Sequence, residues 1–177
     1  MLDLIIRNGK CYIDGELKEV DVSIKDKKIH QIGQISEEAK ETIDASGHTV
    51  LPGCIDTQTH FREPGSTDTE DLHSGSRAAI AGGITSVFEM PNTNPPTSNK
   101  KEFQRKLDLA KNRMYCNYAF YFGATAENAD DLASLKDLEG CCGIKLFAGS
   151  STGNLLVAEE DDIDKVFQNA SKVVAVH

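Results

Sequence analysis

The sequence lacks any apolar run that approaches the ~20 residues needed to cross a bilayer. Its start, Met1-Leu2-Asp3-Leu4, has neither the basic region nor the long apolar region of a signal peptide. Basic side chains are also few, since 19 Lys and Arg stand against 28 Asp and Glu and give a formal net charge of −9. Such a chain repels phosphate polyanions. These absences predict a cytoplasmic protein with no nucleic-acid partner and no membrane partner.

Cysteine spacing excludes two further classes of protein. The five cysteines are an odd number and none stands in a CxxC pair, so neither a disulfide framework nor a zinc finger is indicated. We expect reduced and mostly buried thiols. With 39% hydrophobic and 27% charged residues, the chain has the composition of a globular protein that buries a core.

The pattern of apolar residues changes near residue 50. Before it, short alternating runs are broken by turn residues such as Asn8-Gly9 and Asp14-Gly15, which predicts antiparallel hairpins. After it, uninterrupted apolar strands alternate with helical stretches, as in βα units around a buried parallel sheet. The predicted domains are therefore 1–50 and 51–177. In the second, strands are expected at 49–56, 84–90, 115–122, 143–148 and 173–176, with helices at 69–81, 98–112, 126–138 and 159–171.

Five βα strands fit about half of a (β/α)₈ barrel, which needs roughly 250 residues. The predicted fold is α/β: the first half of a (β/α)₈ TIM-like barrel, preceded by a small β-sandwich-type domain, with both domains incomplete. Open edges of this kind predict association with a complementary chain or a second copy. A doubly wound domain is the rival, but the first strand is followed by no Gly-rich phosphate loop.

Polar side chains cluster where the predicted strands end, which is where barrel enzymes carry their functional groups. Alternation along the first strand turns Asp56, Gln58 and His60 to one side, and Arg62 follows them. The second strand runs into a loop with Asn92; the fourth carries Lys145 inside an apolar run, and the fifth ends at His177.

Each of these residues also has an ordinary structural explanation. A single histidine is usually solvated or satisfied by a neighbour, and His177 could belong to an exposed tail. Lys145 could extend its amine to solvent or form an ion pair, because an unpaired ammonium in an apolar strand is costly. Arg62 could pair with a nearby glutamate, and Asn92 could serve only a turn.

Taken together, these segments resemble the dihydroorotases of the amidohydrolase superfamily over nearly the whole chain. Residues 51–65, LPGCIDTQTHFREPG, are similar to the family's first metal motif with its substrate arginine. Met90-Pro91-Asn92-Thr93 is similar to the second signature. Lys145 falls where superfamily members carry a carboxylated lysine, and His177 falls where the next metal-binding histidine is expected.

The resemblance implies a hydrolase with one or two zinc ions that interconverts N-carbamoyl-L-aspartate and dihydroorotate in pyrimidine biosynthesis. His60, Lys145 and His177 would be metal ligands, with Lys145 carboxylated. Arg62 and Asn92 would bind the substrate carboxylate. The superfamily's catalytic aspartate, its general base, would lie beyond His177, so residues 1–177 contain no catalytic base and are predicted to be inactive alone.

One position departs from the family pattern and keeps two alternatives open. The family usually has His-x-His after the first strand, whereas Gln58 stands at the first of these positions, and a neutral amide oxygen is a weak ligand for zinc. Gln58 therefore suggests one alternative, a non-catalytic dihydroorotase-like subunit that partners aspartate transcarbamoylase. The retention of Lys145, His177, Arg62 and Asn92 argues against it, because a site released from catalysis does not need this set. The other alternative is a hydantoinase or allantoinase, which shares the fold and the lysine; Arg62 with Asn92 argues against it, because the two suit an acidic ring.

Overall fold

Turn residues divide the beginning of the chain into short strands that form two small sheets. The computed structural model describes residues 1–151 and 154–177, and its first compact unit is Met1–Pro52. Asp14 and Gly15 both have positive φ, 52° and 85°, as a two-residue hairpin turn requires. The strands of this unit are β1 Leu2–Arg7, β2 Lys10–Ile13, β3 Glu16–Glu19, β4 Asp21–Lys25, β5 Lys28–Gly33, β6 Ala39–Asp44 and β7 Thr49–Val50.

Antiparallel hairpins are confirmed for two strand pairs of this unit, and two other pairs differ from the prediction. β2 pairs with β3, and β4 pairs with β5 and β1, all antiparallel. β6 joins β1 and β7 joins β2 in parallel. The result is a four-stranded sheet, β5-β4-β1-β6, and a three-stranded sheet, β3-β2-β7. A small apolar cluster of Leu2, Ile5 and Ile35 belongs to this unit.

The second compact unit, Gly53–His177, contains one parallel sheet with helical segments between its strands, as the sequence predicts. The strand order is β12-β11-β10-β9-β8, and every neighbouring pair is parallel. Its elements are β8 Cys54–Thr59, α1 Leu72–Ala81, β9 Ile84–Glu89, α2 Lys100–Ala110, β10 Asn117–Gly123, a 3₁₀ helix Ala129–Leu135, β11 Cys141–Leu146, α3 Glu160–Asn169 and β12 Val174–Val176.

Two predicted elements were wrong in position or type. The strand expected at 49–56 is split, because Thr49 and Val50 pair with β2 in the first unit and the barrel strand begins only at Cys54. The helix expected at 126–138 is a short 3₁₀ helix. Reciprocal hydrogen bonds between Thr125 and Asn128 (2.9 and 3.2 Å) hold a turn at its start. Side chains that bond to nearby backbone in this way compete with α-helix formation.

The sheet of the second unit has two free edges within the residues that the structure describes, namely β8 and β12. Both carry exposed apolar side chains: Ile55 is 60% exposed and Val176 is 53% exposed. Exposed strand edges are templates for pairing with further strands. Among the described residues, no helix is long and apolar enough to cross a membrane.

The five cysteines are free thiols, and Cys11, Cys116 and Cys141 are buried. Cys142 is half-buried and Cys54 is exposed. The prediction of unpaired and mostly buried cysteines is confirmed.

Candidate functional site

A cavity of about 410 Å³ lies at the carboxyl ends of the sheet strands. The structure brings to it all five residues that the sequence predicted as metal or substrate contacts, together with Gln58. Asp56 is not among the lining residues; its carboxylate accepts the backbone N–H of Gln58 (2.9 Å). The lining residues are Gln58, His60, Arg62, Asn92, Lys145, Phe147, Ser150, Ser151 and His177.

His60 is oriented by Asn92 across the ends of two neighbouring strands. It directly follows β8, and its Nδ1 lies 2.9 Å from Oδ1 of Asn92, in the turn after β9. With the amide oxygen as acceptor, Nδ1 carries the proton and Nε2 keeps its lone pair, which is the tautomer that binds a metal through Nε2. Burial and the Arg62 charge lower the pKa of His60, while the hydrogen bond that His60 donates to Asn92 opposes that shift. The ring is therefore held in the neutral form that a ligand requires.

Arg62 occupies a loop whose backbone is fixed in an unusual conformation. Its φ is +59°, in the left-handed region that costs a residue with a side chain about 1 kcal/mol. The loop is held there because Arg62 O accepts from Ser66 N (2.9 Å) and Asn94 N donates to Pro64 O (2.9 Å). Gly65 packs so closely that an added Cβ would lie 2.9 Å from Asn94 Cβ. The guanidinium is thus presented next to Asn92 by a rigid loop.

The ion pair suggested for Arg62 with a nearby glutamate is not found among the described residues. The neighbouring Glu63 is buried and instead binds Arg113 through two short contacts, 2.7 and 3.1 Å. Glu63 also accepts the backbone N–H of Leu72 at the start of α1 (2.9 Å).

Arg62 and Asn92 also line a second cavity of about 480 Å³, so both side chains lie between two cavities.

Lys145 is a buried amine in the middle of the sheet. It lies on β11 between Gly123 of β10 and Ala175 of β12, and only 2% of it is exposed. Its Nζ stands 5.1 Å from the centre of the Phe147 ring. Burial lowers the pKa of Lys145. At a given pH a larger fraction of this amine is therefore neutral than in an exposed lysine. Only the neutral amine reacts with carbon dioxide to form a carboxylated lysine.

His177 is tied to the neighbouring strand through its backbone. Its N–H donates to Leu146 O (3.0 Å), and its carbonyl accepts from Ala148 and Gly149 (2.8 and 3.2 Å). The ring centre lies 6.3 Å from that of Phe147. His177 is exposed, but its backbone is held at three points and its side chain lines the cavity.

These side chains form an incomplete but chemically suitable donor set for zinc. Two imidazoles and an amine that can be carboxylated are the nitrogen and oxygen ligands that zinc accepts. Within residues 1–151 and 154–177, no three His, Cys, Asp or Glu side chains converge as a metal-binding group. A zinc ion held here would therefore need Lys145 as a ligand beside the two histidines, and further donors to complete its coordination.

A buried ion pair beside the site was missed in the sequence analysis. Glu89, the last residue of β9, pairs with Lys106 of α2, and both are essentially inaccessible to solvent. Burial raises the pKa of Glu89 to about 7 and lowers that of Lys106. One signal pointed to it: the buried face of α2 has the spacing Phe103, Lys106, Ala110, which places a lysine on the apolar stripe.

Changing Asn92 to Asp is expected to raise the pKa of His60, because a carboxylate at Nδ1 stabilises the imidazolium. Changing Asn92 to Leu is expected to lower that pKa further, because it removes the hydrogen bond that now opposes the burial effect. NMR titration of the metal-free protein measures both shifts. In the Asp variant, the acidic limb of any pH–rate profile should move to higher pH.

Asn117→Asp supplies the matched control, since it adds the same charge at the opposite end of the sheet, on exposed Asn117 at the start of β10. Equal His60 pKa values in wild type and both Asn92 variants would contradict the orientation of His60 by Asn92.

Comparisons with known proteins identify the family. Residues 49–175 match the Amidohydrolase family. An allantoinase of Escherichia coli O1:K1 is 40% identical over 149 residues, which are 84% of this chain and 33% of the allantoinase. The L-hydantoinase (dihydropyrimidinase) of Arthrobacter aurescens superposes with a TM-score of 0.90 at 30% identity, covering 100% of this chain and 41% of the hydantoinase. The dihydropyrimidinase of Brevibacillus agri gives a TM-score of 0.82 at 27% identity, covering 100% and 40%.

The similarity confirms the predicted fold and changes the weight of the functional alternatives. The chain spans about a third of the allantoinase and about 40% of the hydantoinase. It corresponds to a small β-rich domain followed by half of the barrel sheet. The names of these relatives support the hydantoinase and allantoinase alternative better than the dihydroorotase prediction. By its sequence match and its fold, the chain belongs to the amidohydrolase family.

Proposed function

We propose that this chain forms part of a metal-dependent hydrolase that opens a cyclic amide ring at the 410 Å³ cavity. The observation that supports it best is the convergence of His60, Lys145 and His177 with Arg62 and Asn92 at one edge of the sheet. The likeness to an allantoinase and to hydantoinases supports the same class of reaction.

His60, Lys145 and His177 would hold one or two zinc ions, with Lys145 carboxylated. When bound, zinc supplies a nucleophilic water at neutral pH and polarises the amide carbonyl. Burial in the sheet keeps the Lys145 amine available for carboxylation. The neutral amide oxygen of Gln58 would bind zinc more weakly than the ring nitrogen of a histidine, which favours one tightly held zinc over two.

Arg62 and Asn92 would bind and orient the ring. A guanidinium can bind a carboxylate through two parallel hydrogen bonds. Such a pair would both attract a ring that carries a carboxylate and set its orientation. The Asn92 amide accepts from His60 through Oδ1, so its NH₂ group stays free to donate to a substrate oxygen. None of the described residues is proposed as the general base of the reaction.

Two ring types compete, and each has one observation in its favour. The relatives' names favour a hydantoin or allantoin ring. Arg62 favours dihydroorotate, since it forms no ion pair with a described carboxylate and can take the ring's acidic group. We rank the hydantoin and allantoin class first and dihydroorotate second.

Turnover of dihydroorotate, allantoin and hydantoin by the purified full-length protein, with zinc content measured on the same sample, tests this function. We expect hydrolysis of one of the three rings and at least one zinc per chain. Zinc-free protein that acts on none of them and binds aspartate transcarbamoylase would instead support the non-catalytic subunit. Light scattering of the same sample tests association with a second copy or a complementary chain.

A further inference from the structure

A buried ion pair lies directly behind the two loops that carry His60, Arg62 and Asn92. Glu89 is 1% exposed and Lys106 is fully buried. Lys106 reaches the pair from α2, and its Nζ also stands 5.1 Å from the centre of the Phe120 ring. Oε2 of Glu89 has Lys106 as its ion-pair partner and receives no regular hydrogen bond from a described residue. Lys106 therefore balances the negative charge at this oxygen.

Each member of the pair also holds a backbone atom of a site loop. The Glu89 carboxylate accepts the backbone N–H of Phe61, which stands between His60 and Arg62. Lys106 Nζ donates to Met90 O (2.9 Å), two residues before Asn92. Met90 N in turn donates to Thr59 O (2.9 Å), which joins the two loops at their base.

The geometry points to Glu89 and Lys106 as positioning residues that hold the His60 loop against the Asn92 turn. The pair keeps Nδ1 of His60 at hydrogen-bond distance from Asn92 and so aims Nε2 into the cavity. This inference deepens the proposed function and rests on it, because the orientation matters only if Nε2 binds a metal.

Stability alone gives a weak reason for such a pair at this place. Taking two charges out of water is costly, and well-packed apolar residues of similar size often serve a core equally well. An apolar pair could not accept the Phe61 N–H at one end and donate to the Met90 carbonyl at the other, as Glu89 and Lys106 do. Both of those groups belong to the segments that present the site.

The experiment compares wild type with Lys106→Met and with the double variant Glu89→Gln/Lys106→Met in the full-length protein. The double variant removes both charges, so it leaves no unpaired ion in the core. If Lys106→Met does not fold, the double variant still tests the inference. Leu135→Ala, a buried substitution in the 3₁₀ helix, controls for a general loss of stability.

Three quantities are measured: the zinc dissociation constant, the His60 Nδ1–H signal in metal-free protein labelled with ¹⁵N-histidine, and kcat against KM. Both Lys106 variants are expected to raise the zinc dissociation constant about 10- to 100-fold, the range found for groups that orient metal ligands. They should broaden or abolish the Nδ1–H signal and lower kcat more than they raise KM. Leu135→Ala should leave all three unchanged.

The inference is overturned if folded Lys106 variants keep the wild-type Nδ1–H signal and zinc affinity, or if Leu135→Ala loses both equally. Failure of the proposed function looks different: wild type itself would bind no zinc and open no ring. The Nδ1–H signal would then still report whether the pair positions His60.

Discussion

Replacement of Lys145 by methionine should lower kcat/KM by at least about 10³-fold if zinc is bound as proposed, because the site would then lose the one lysine among its described candidate ligands. Metal-assisted charge stabilisation contributes several kcal/mol to such reactions, and each 1.36 kcal/mol is a factor of ten in rate. Steady-state kinetics and zinc analysis of the full-length variant measure the loss. Lys111→Met, at an exposed lysine after α2, is the matched control and should keep both activity and zinc.

The same substitution is expected to make the protein more stable. Burial lowers the pKa of Lys145 in the fold, so the unfolded chain binds the proton more readily. The charge therefore opposes folding at neutral pH, and the penalty fades as pH rises between the folded and unfolded pKa values. Removing the amine should raise the free energy of unfolding at pH 7 in zinc-free, bicarbonate-free buffer, because no buried charge then opposes folding. An active Lys145→Met enzyme, or one less stable than wild type in this buffer, would contradict this account.

Replacement of Arg62 by methionine should separate the two candidate rings. A hydrogen bond to a charged group contributes about 1.5 to 3 kcal/mol. If dihydroorotate is the substrate, its KM should therefore rise about 100-fold, with a smaller change in kcat. Hydantoin and allantoin carry no carboxylate, so their KM values should change less than about threefold.

Arg77→Met removes an exposed guanidinium from α1, away from the cavity, and is expected to leave every KM unchanged. An unaltered KM for dihydroorotate in Arg62→Met would exclude Arg62 as the carboxylate-binding residue. A large KM increase for the neutral rings would mean that the loop positions the ring by some means other than charge.

The sequence predicted the parallel sheet and the residues around the cavity because both follow local rules. Strand periodicity locates the strand ends, and parallel strands bring their carboxyl ends to one edge, so His60, Asn92 and Lys145 could be grouped in advance. β8 was misplaced because it is an edge strand, with polar and exposed residues where a buried strand would be apolar. Thr49 and Val50 fit a strand in either unit, and only pairing with β2 decides which.

Contacts between distant segments could not be predicted in the same way. The Asn92 side chain could have pointed to solvent, and only the turn after β9 places its oxygen on His60. Glu89 and Lys106 each carry a local signal of burial, but nothing local identifies them as partners. The left-handed backbone of Arg62 likewise depends on Ser66 and Asn94, which are set by the folded loop.

The edge strands of the sheet would influence the affinity of the proposed zinc site. His60 follows β8 and His177 follows β12, so the two imidazoles sit on the outermost strands, with three strands between them. Their separation is therefore set by how strongly the sheet curves. Any strands that pair with these edges would fix that curvature and raise the affinity for zinc. Thermodynamic linkage makes the effect reciprocal: zinc would tighten the edge pairing by the same factor, so that closing the sheet and filling the site become a single equilibrium.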